Sequence, residues 1–258
     1  MTNFRKLKGF AAATAVTFAM TGGFALRAAD DLPKAETILD RFIEATGGKA
    51  KYEKRKSEIE TGTLEISAMG IKGSLTRYAA APDKTYSVID IEGIGKIEEG
   101  SSDGIAWQKS MMTGAHVKTG VEKAQALREA TFNQTLHWRD LFAKAETAGV
   151  ETVNGEECYK VVLTPKEGKP ETNFYSKKSG LLMKSVATVE SQLGEMEAES
   201  SASDYKDFGD GILSPSKMTQ KAGPQEITIT ISSVKINEPI PADKFEVPAD
   251  IKALAAKP

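Results

Sequence analysis

Two turns constrain this chain more than anything else in it. Ser102-Asp103-Gly104 and Asn154-Gly155 each separate two short runs in which apolar and polar residues alternate. A tight β-hairpin needs positive φ at two successive residues, and Asp-Gly and Asn-Gly supply it. Further runs follow the same pattern. Leu64, Ile66 and Ala68 alternate with Thr63, Glu65 and Ser67, and Ile71–Ala79 returns after Gly70. Lys84–Ile91, a short run opened by Gly93 and Gly95, Cys158–Leu163, Thr172–Ser176, Leu181–Val189, Glu195–Phe208, Ile212–Thr219 and Glu226–Ile236 come after, bounded mostly by Gly, Pro or Asp. The spacing predicts ten or eleven antiparallel strands. A period of two gives such a sheet one apolar face and one polar face.

Two segments break this period. Pro33–Thr46 reads as a helix with Ile38, Leu39, Phe42 and Ile43 on one face, Asp30 and Asp31 as caps, and Gly47-Gly48 as its stop. Residues 121–145 form a helical insertion. In it Leu127, Thr131, Trp138, Leu141, Phe142 and Ala145 recur at helical spacings, as one helix or as two broken near Asn133. The tail after Pro239 is expected to pack through Phe245 and Val247.

Residues 1–29 read as a secretory leader. Arg5, Lys6 and Lys8 precede the apolar stretch Phe10–Met20, and small residues follow around Ala28-Ala29. No Cys near that point offers a site for lipid modification. Removing the leader leaves 30 basic and 36 acidic groups, a formal charge of −6. That balance argues against nucleic acid as a partner. No later stretch is apolar enough to span a bilayer. Residues 30–258 are expected to be one domain, exported to the periplasm.

Signatures of chemistry are scarce. One Cys excludes an internal disulfide framework and a Cys-rich zinc site, and two His are too few for a His cluster. No G-x-S-x-G elbow is present. His137 reads as a packed or surface side chain and His116 as a solvated loop residue. Cys158 lies in a strand and reads as a structural thiol. Asp204, Asp207 and Asp210 invite a calcium reading, but no EF-hand loop encloses them and turn chemistry is the simpler account. Lys49, Lys51, Lys54, Arg55 and Lys56 read as a solvated basic face, with contact to anionic lipid headgroups as the alternative. No cofactor motif is present, and the chain is not expected to be an enzyme.

Several stretches carry a family resemblance. They are Ala35-Glu36-Thr37-Ile38-Leu39-Asp40-Arg41 through Ala45-Thr46-Gly47-Gly48, Ser102–Trp107, and Val153–Val161. The most specific are Asp204–Lys217 and Ile236–Phe245. Together they resemble the LolA/LolB-like superfamily, in particular outer-membrane lipoprotein-sorting proteins. The resemblance implies a mainly β fold: a strongly curved antiparallel sheet, an unclosed barrel, with helices over its concave face. It also implies a soluble carrier of lipoprotein acyl chains or another lipid, working between sorting components of the inner and outer membranes. Burying an acyl chain contributes about 0.8 kcal/mol per CH₂, so binding needs no catalytic group. Candidate wall residues are Leu64, Ile66, Leu75, Ile89, Ile91 and Trp107 from strands. Phe132, Leu136, Trp138 and Leu141 are candidates from the covering helix. One departure stands out. Carriers of this type place an Arg directly before the Pro that ends the second strand, where it locks the lid; here that position, before Pro82, is Ala81, and Arg77 lies nearby. The rival reading is an envelope scaffold that uses the same sheet to bind a protein, with no lipid cavity.

Overall fold

The computed structural model describes residues 32–191, 194–223 and 225–256. The leader, the Asp30-Asp31 cap and the lipidation question lie outside these residues. Among them no helix is long and apolar enough to cross a membrane.

Helix α1 spans Ala35–Ala45 and buries Ile38, Leu39 and Ile43, the stripe its sequence presents. It stops at the expected glycines. Gly47 has φ 139° and its Cα sits against the Gly211 carbonyl, so a side chain there would collide with backbone. A short helix α2, Lys49–Tyr52, follows. The strands then run in chain order. They are β1 Ser57–Ile66, β2 Ile71–Ala80, β3 Lys84–Ile91, β4 Gly95–Ser102, β5 Ile105–Ser110 and β6 Gly114–Val117. Helix α3, Gly120–Ala130, and a helical turn at Gln134–His137 lead to α4, Trp138–Leu141. Seven more strands follow: β7 Phe142–Val153, β8 Glu156–Pro165, β9 Glu171–Ser176, β10 Leu182–Ser191, β11 Gly194–Asp207, β12 Leu213–Ala222 and β13 Gln225–Ile236. Helix α5, Ala249–Ala255, closes the chain.

All thirteen strands join one antiparallel sheet in the order β6-β5-β4-β3-β2-β1-β13-β12-β11-β10-β9-β8-β7. The first and last members do not pair, so the sheet is an unclosed barrel. Both Asp103-Gly104 and Asn154-Gly155 have two positive φ values, as the hairpin reading requires. Between β1 and β13 the register slips at Thr61/Gly62, and a Cβ on Gly62 would overlap the Thr230 backbone. A glycine bulge of this kind lets a sheet bend sharply.

Four expectations need correction. The sheet has thirteen strands, not ten or eleven. The helical insertion ends at Leu141, and Phe142 already opens β7, pairing with Pro165. Aromatic and apolar residues on a buried strand face copy helical spacing over so short a window. His116 is not in a solvated loop: it sits on β6, opposite Gln108, with its Nε2 2.7 Å from Glu122 Oε2. The basic run is not one solvated face. Arg55 is buried and its guanidinium grips Asp210, while Lys51 Nζ donates to the Gly211 carbonyl at 2.9 Å.

Candidate functional site

Pairing register decides which side chains share a face. Leu64 lies opposite Gly73, which lies opposite Ile91; Leu75 lies opposite Ile89, and Ile66 opposite Ile71. All five strand candidates on β1, β2 and β3 therefore point the same way. Across the sheet Leu64 also pairs with Ile229 and Gly62 with Ile231, which extends this wall onto β13. Following the register through β12 brings Met218 and Gln220 to the same face, then Ala202, Ser200 and Ala198 on β11, then Ser185 and Ala187 on β10. Beyond them stand Asn173 and Tyr175 on β9 and Val161 and Leu163 on β8.

This face is the concave one. Helix α1 packs on it, with Ile38, Leu39 and Ile43 against Val161, Leu163 and Tyr175. Helix α3 approaches β4 and β5 on one side and β10 on the other, so it bridges the hollow. Leu136, Trp138 and Leu141 join the α1 cluster, and Phe132 is buried separately. Trp107 does not share the hollow. It pairs with Gly100, which pairs with Tyr86, and its ring lies 6.2 Å from that of Tyr86, tilted by 32°, on the outer face. There it packs with Val247 and Ile251 of the tail and α5. The sequence places Val247 in a packed tail but offers no clear helix after Pro248.

A cavity of about 280 Å³ lies under the 120–141 segment, lined by Leu39, Phe42, Trp138, Leu163, Tyr175 and Leu182 among others. That is near the lower end of the range for small-molecule sites. Its lining is mixed: Glu129, Gln134, Thr135, Glu171, Asn173 and Ser185 bring polar groups beside the apolar ones. Trp138 Nε1 is buried and has no hydrogen-bond partner. Burial pushes the Glu171 carboxyl above its usual range, against the pull of Arg128, whose guanidinium is 3.8 Å away.

The roof is fastened by a few polar contacts. Phe132 N donates to the Pro82 carbonyl at 2.8 Å, Asn133 Nδ2 to the Tyr52 carbonyl at 2.7 Å, and Arg139 makes a two-pronged bond to Asp40 at 2.9 and 3.1 Å. Such fastenings release at less cost than an apolar interface of the same extent.

A charged cluster divides the hollow, and the sequence did not point to it. Arg77 Nη1 donates to Glu58 at 2.8 Å and Glu60 at 3.2 Å, and Arg55 lies 3.6 Å from Glu58. Arg77 thus stays on its own sheet. Burial raises Glu60, Arg77 opposes that shift, and Glu58 reinforces it. The alternation Glu58-x-Glu60 was the available signal, since it puts two carboxylates on the face that otherwise carries Leu64 and Ile66. Asp207 accepts from the Gly209, Asp210 and Gly211 amides at 2.7, 3.0 and 2.9 Å. With Asp210 held by Arg55, two of the three suspected calcium ligands serve the turn. Cys158 is fully buried, and burial pushes its thiol up, which suits a structural role.

No family model matches the sequence, and no curated protein matches it. Solved structures do match. A DUF1329 family protein from Desulfovibrio piger is 15% identical, with TM-score 0.56, over 82% of this chain and 97% of that one. A LolA superfamily protein from Nitrosomonas europaea is 11% identical, with TM-score 0.56, over 84% and 99%. A putative outer membrane lipoprotein-sorting protein domain from Vibrio parahaemolyticus is 12% identical, with TM-score 0.52, over 82% and 97%. At such identities the likeness speaks for architecture alone: this chain has a LolA-like fold, an unclosed antiparallel barrel with helices laid across its hollow.

Proposed function

We propose that this protein is a non-catalytic periplasmic carrier of a lipid-like ligand, a lipoprotein acyl chain being the type that best fits the architecture. One observation carries the reading. Beside the Arg77–Glu58–Glu60 cluster the concave face carries a run of apolar or small side chains from β3 to β10, through Ile89, Leu75, Leu64, Ile229, Ala198 and Ala187, and it meets a cavity lined by Leu39, Phe42, Trp138 and Leu163. Small residues on β10 and β11 leave depth where an ordinary core would fill it. An acyl chain fits such a trough. Entry of a long chain requires the 120–141 segment to lift, because the cavity beneath it is smaller than such a ligand.

Titration with a fluorescent fatty acid tests this. Saturable binding is expected for the wild type. Ser185→Phe and Ala187→Trp place bulk in the cavity from half-buried wall positions and should weaken binding at least about tenfold with melting little changed. Absence of saturable binding, or unchanged affinity in both folded variants, overturns the carrier reading and favours a protein-binding scaffold.

A further inference from the structure

Three neighbouring hairpin tips at one end of the barrel differ in chemistry from the links around them. At one end the links after β2, β4, β7, β9 and β11 carry Asp83, Asp103, Asn154, Lys177, Lys178 and Asp210. At the other end the links after β1, β3 and β5 read Ser67-Ala68-Met69-Gly70, Glu92-Gly93-Ile94 and Met111-Met112-Thr113, with Glu92 the one charge among these residues. Met69, Ile94, Met111 and Met112 are all exposed, the last two at 82% and 80%. Antiparallel order makes these three hairpin tips successive along one rim, two strands or roughly 10 Å apart. Met111 leans across to Gly95, beside Ile94, so the tips form one apolar row.

We propose that this row is a foot that inserts shallowly into the polar–apolar boundary of a lipid bilayer. Large apolar side chains rarely cluster in water without a partner. A protein partner would need a separate hollow for each projecting tip. A bilayer accepts them at any spacing, and unbranched Met side chains adapt readily to such a surface. The charges in and just behind the tips nearly cancel: Glu65, Asp90 and Glu92 against Lys72 and Lys96. The foot therefore selects a bilayer by its apolar depth and not by its surface charge. Ile66, Ile71 and Ile91, which belong to the concave wall, stand directly behind the tips. The trough thus opens at the point of contact. The inference stands on the exposed rim and does not require the trough to hold a lipid.

Flotation with phosphatidylcholine vesicles, at low and high salt, is the test. The wild type should float to the same extent at both salts. Met69→Ser, Ile94→Ser, Met111→Ser and Met112→Ser combined should reduce partition about tenfold or more. As exposed substitutions they should leave the melting transition in place, and fatty-acid titration, which reads the trough, should be unaffected. A wild type that stays with the unbound fraction, or floats only with anionic vesicles, overturns the proposal. So does a combined variant that floats normally. A lipid-free dimer abolished by the same substitutions would assign the row to a second copy instead.

Discussion

Arg55 shows how this fold keeps a charge inside. Its guanidinium is buried against Asp210 and within reach of Glu58, and it joins the start of β1 to the β11–β12 turn. Burial works against ionisation of Asp210, but the hydrogen bond and charge of Arg55 outweigh it, and the carboxyl lies below its ordinary range. Asp207 is lowered too, chiefly by the Gly209 and Gly211 amides. A carboxylate lowered by folding adds stability that is present above its unfolded value and lost as pH falls through the folded one. The urea midpoint should therefore drop as pH falls below about 4. Asp210→Asn should cost about 3 kcal/mol at neutral pH, by leaving Arg55 short of a partner, and should flatten that acid slope. A variant with wild-type stability and an unchanged slope would remove this role from the pair. Gly100 is a second such point, since a Cβ there would lie 2.6 Å from the Trp107 ring. Gly100→Ala should cost about 1–3 kcal/mol and shift the tryptophan emission as the ring moves.

At the scale of elements, the carrier reading requires the 120–141 segment to move. Helix α3 buries little besides Ala130, while Phe132 and Trp138 anchor the rest of the segment and Asn133 Nδ2 adds a bond to Tyr52 O. Asn133 has φ 53°, so Asn133→Gly keeps the backbone and deletes only the bond. Amide exchange across 120–141 should speed by about fivefold to tenfold, a loss of roughly 1 kcal/mol, with the sheet unaffected. Uniform change across the protein, or none, would contradict a hinged roof. The sequence was most legible in this chain's hairpins. Asn154-Gly155 and Asp103-Gly104 act locally, and local rules suffice for them. The alternating runs likewise showed that Leu64, Ile66, Leu75, Ile89 and Ile91 lie in strands. It was less legible where only tertiary contact decides. Four-residue β6 owes its pairing to β5, and α5 owes its place to Trp107. Trp107 itself looked like a wall residue because alternation reports two faces without saying which is concave. Phe142 was drawn into a helix by its spacing, though β8 claims it.

The described residues form a sheet that curls without closing, bent at the Gly62 bulge and with α3 laid across its hollow. Its hollow is apolar at the rim, crossed by the Arg77–Glu58–Glu60 cluster, and roofed by the 120–141 segment. On the proposed reading this trough holds a chain-like apolar ligand and releases it when the roof lifts. Native mass spectrometry of the protein, purified gently from an envelope-bearing bacterial host, tests that claim most directly. The account predicts a bound mass that organic extraction identifies as a lipid or acylated peptide and that Ser185→Phe lacks. A bare polypeptide mass, persisting after incubation with phospholipid and lipoprotein, would contradict it.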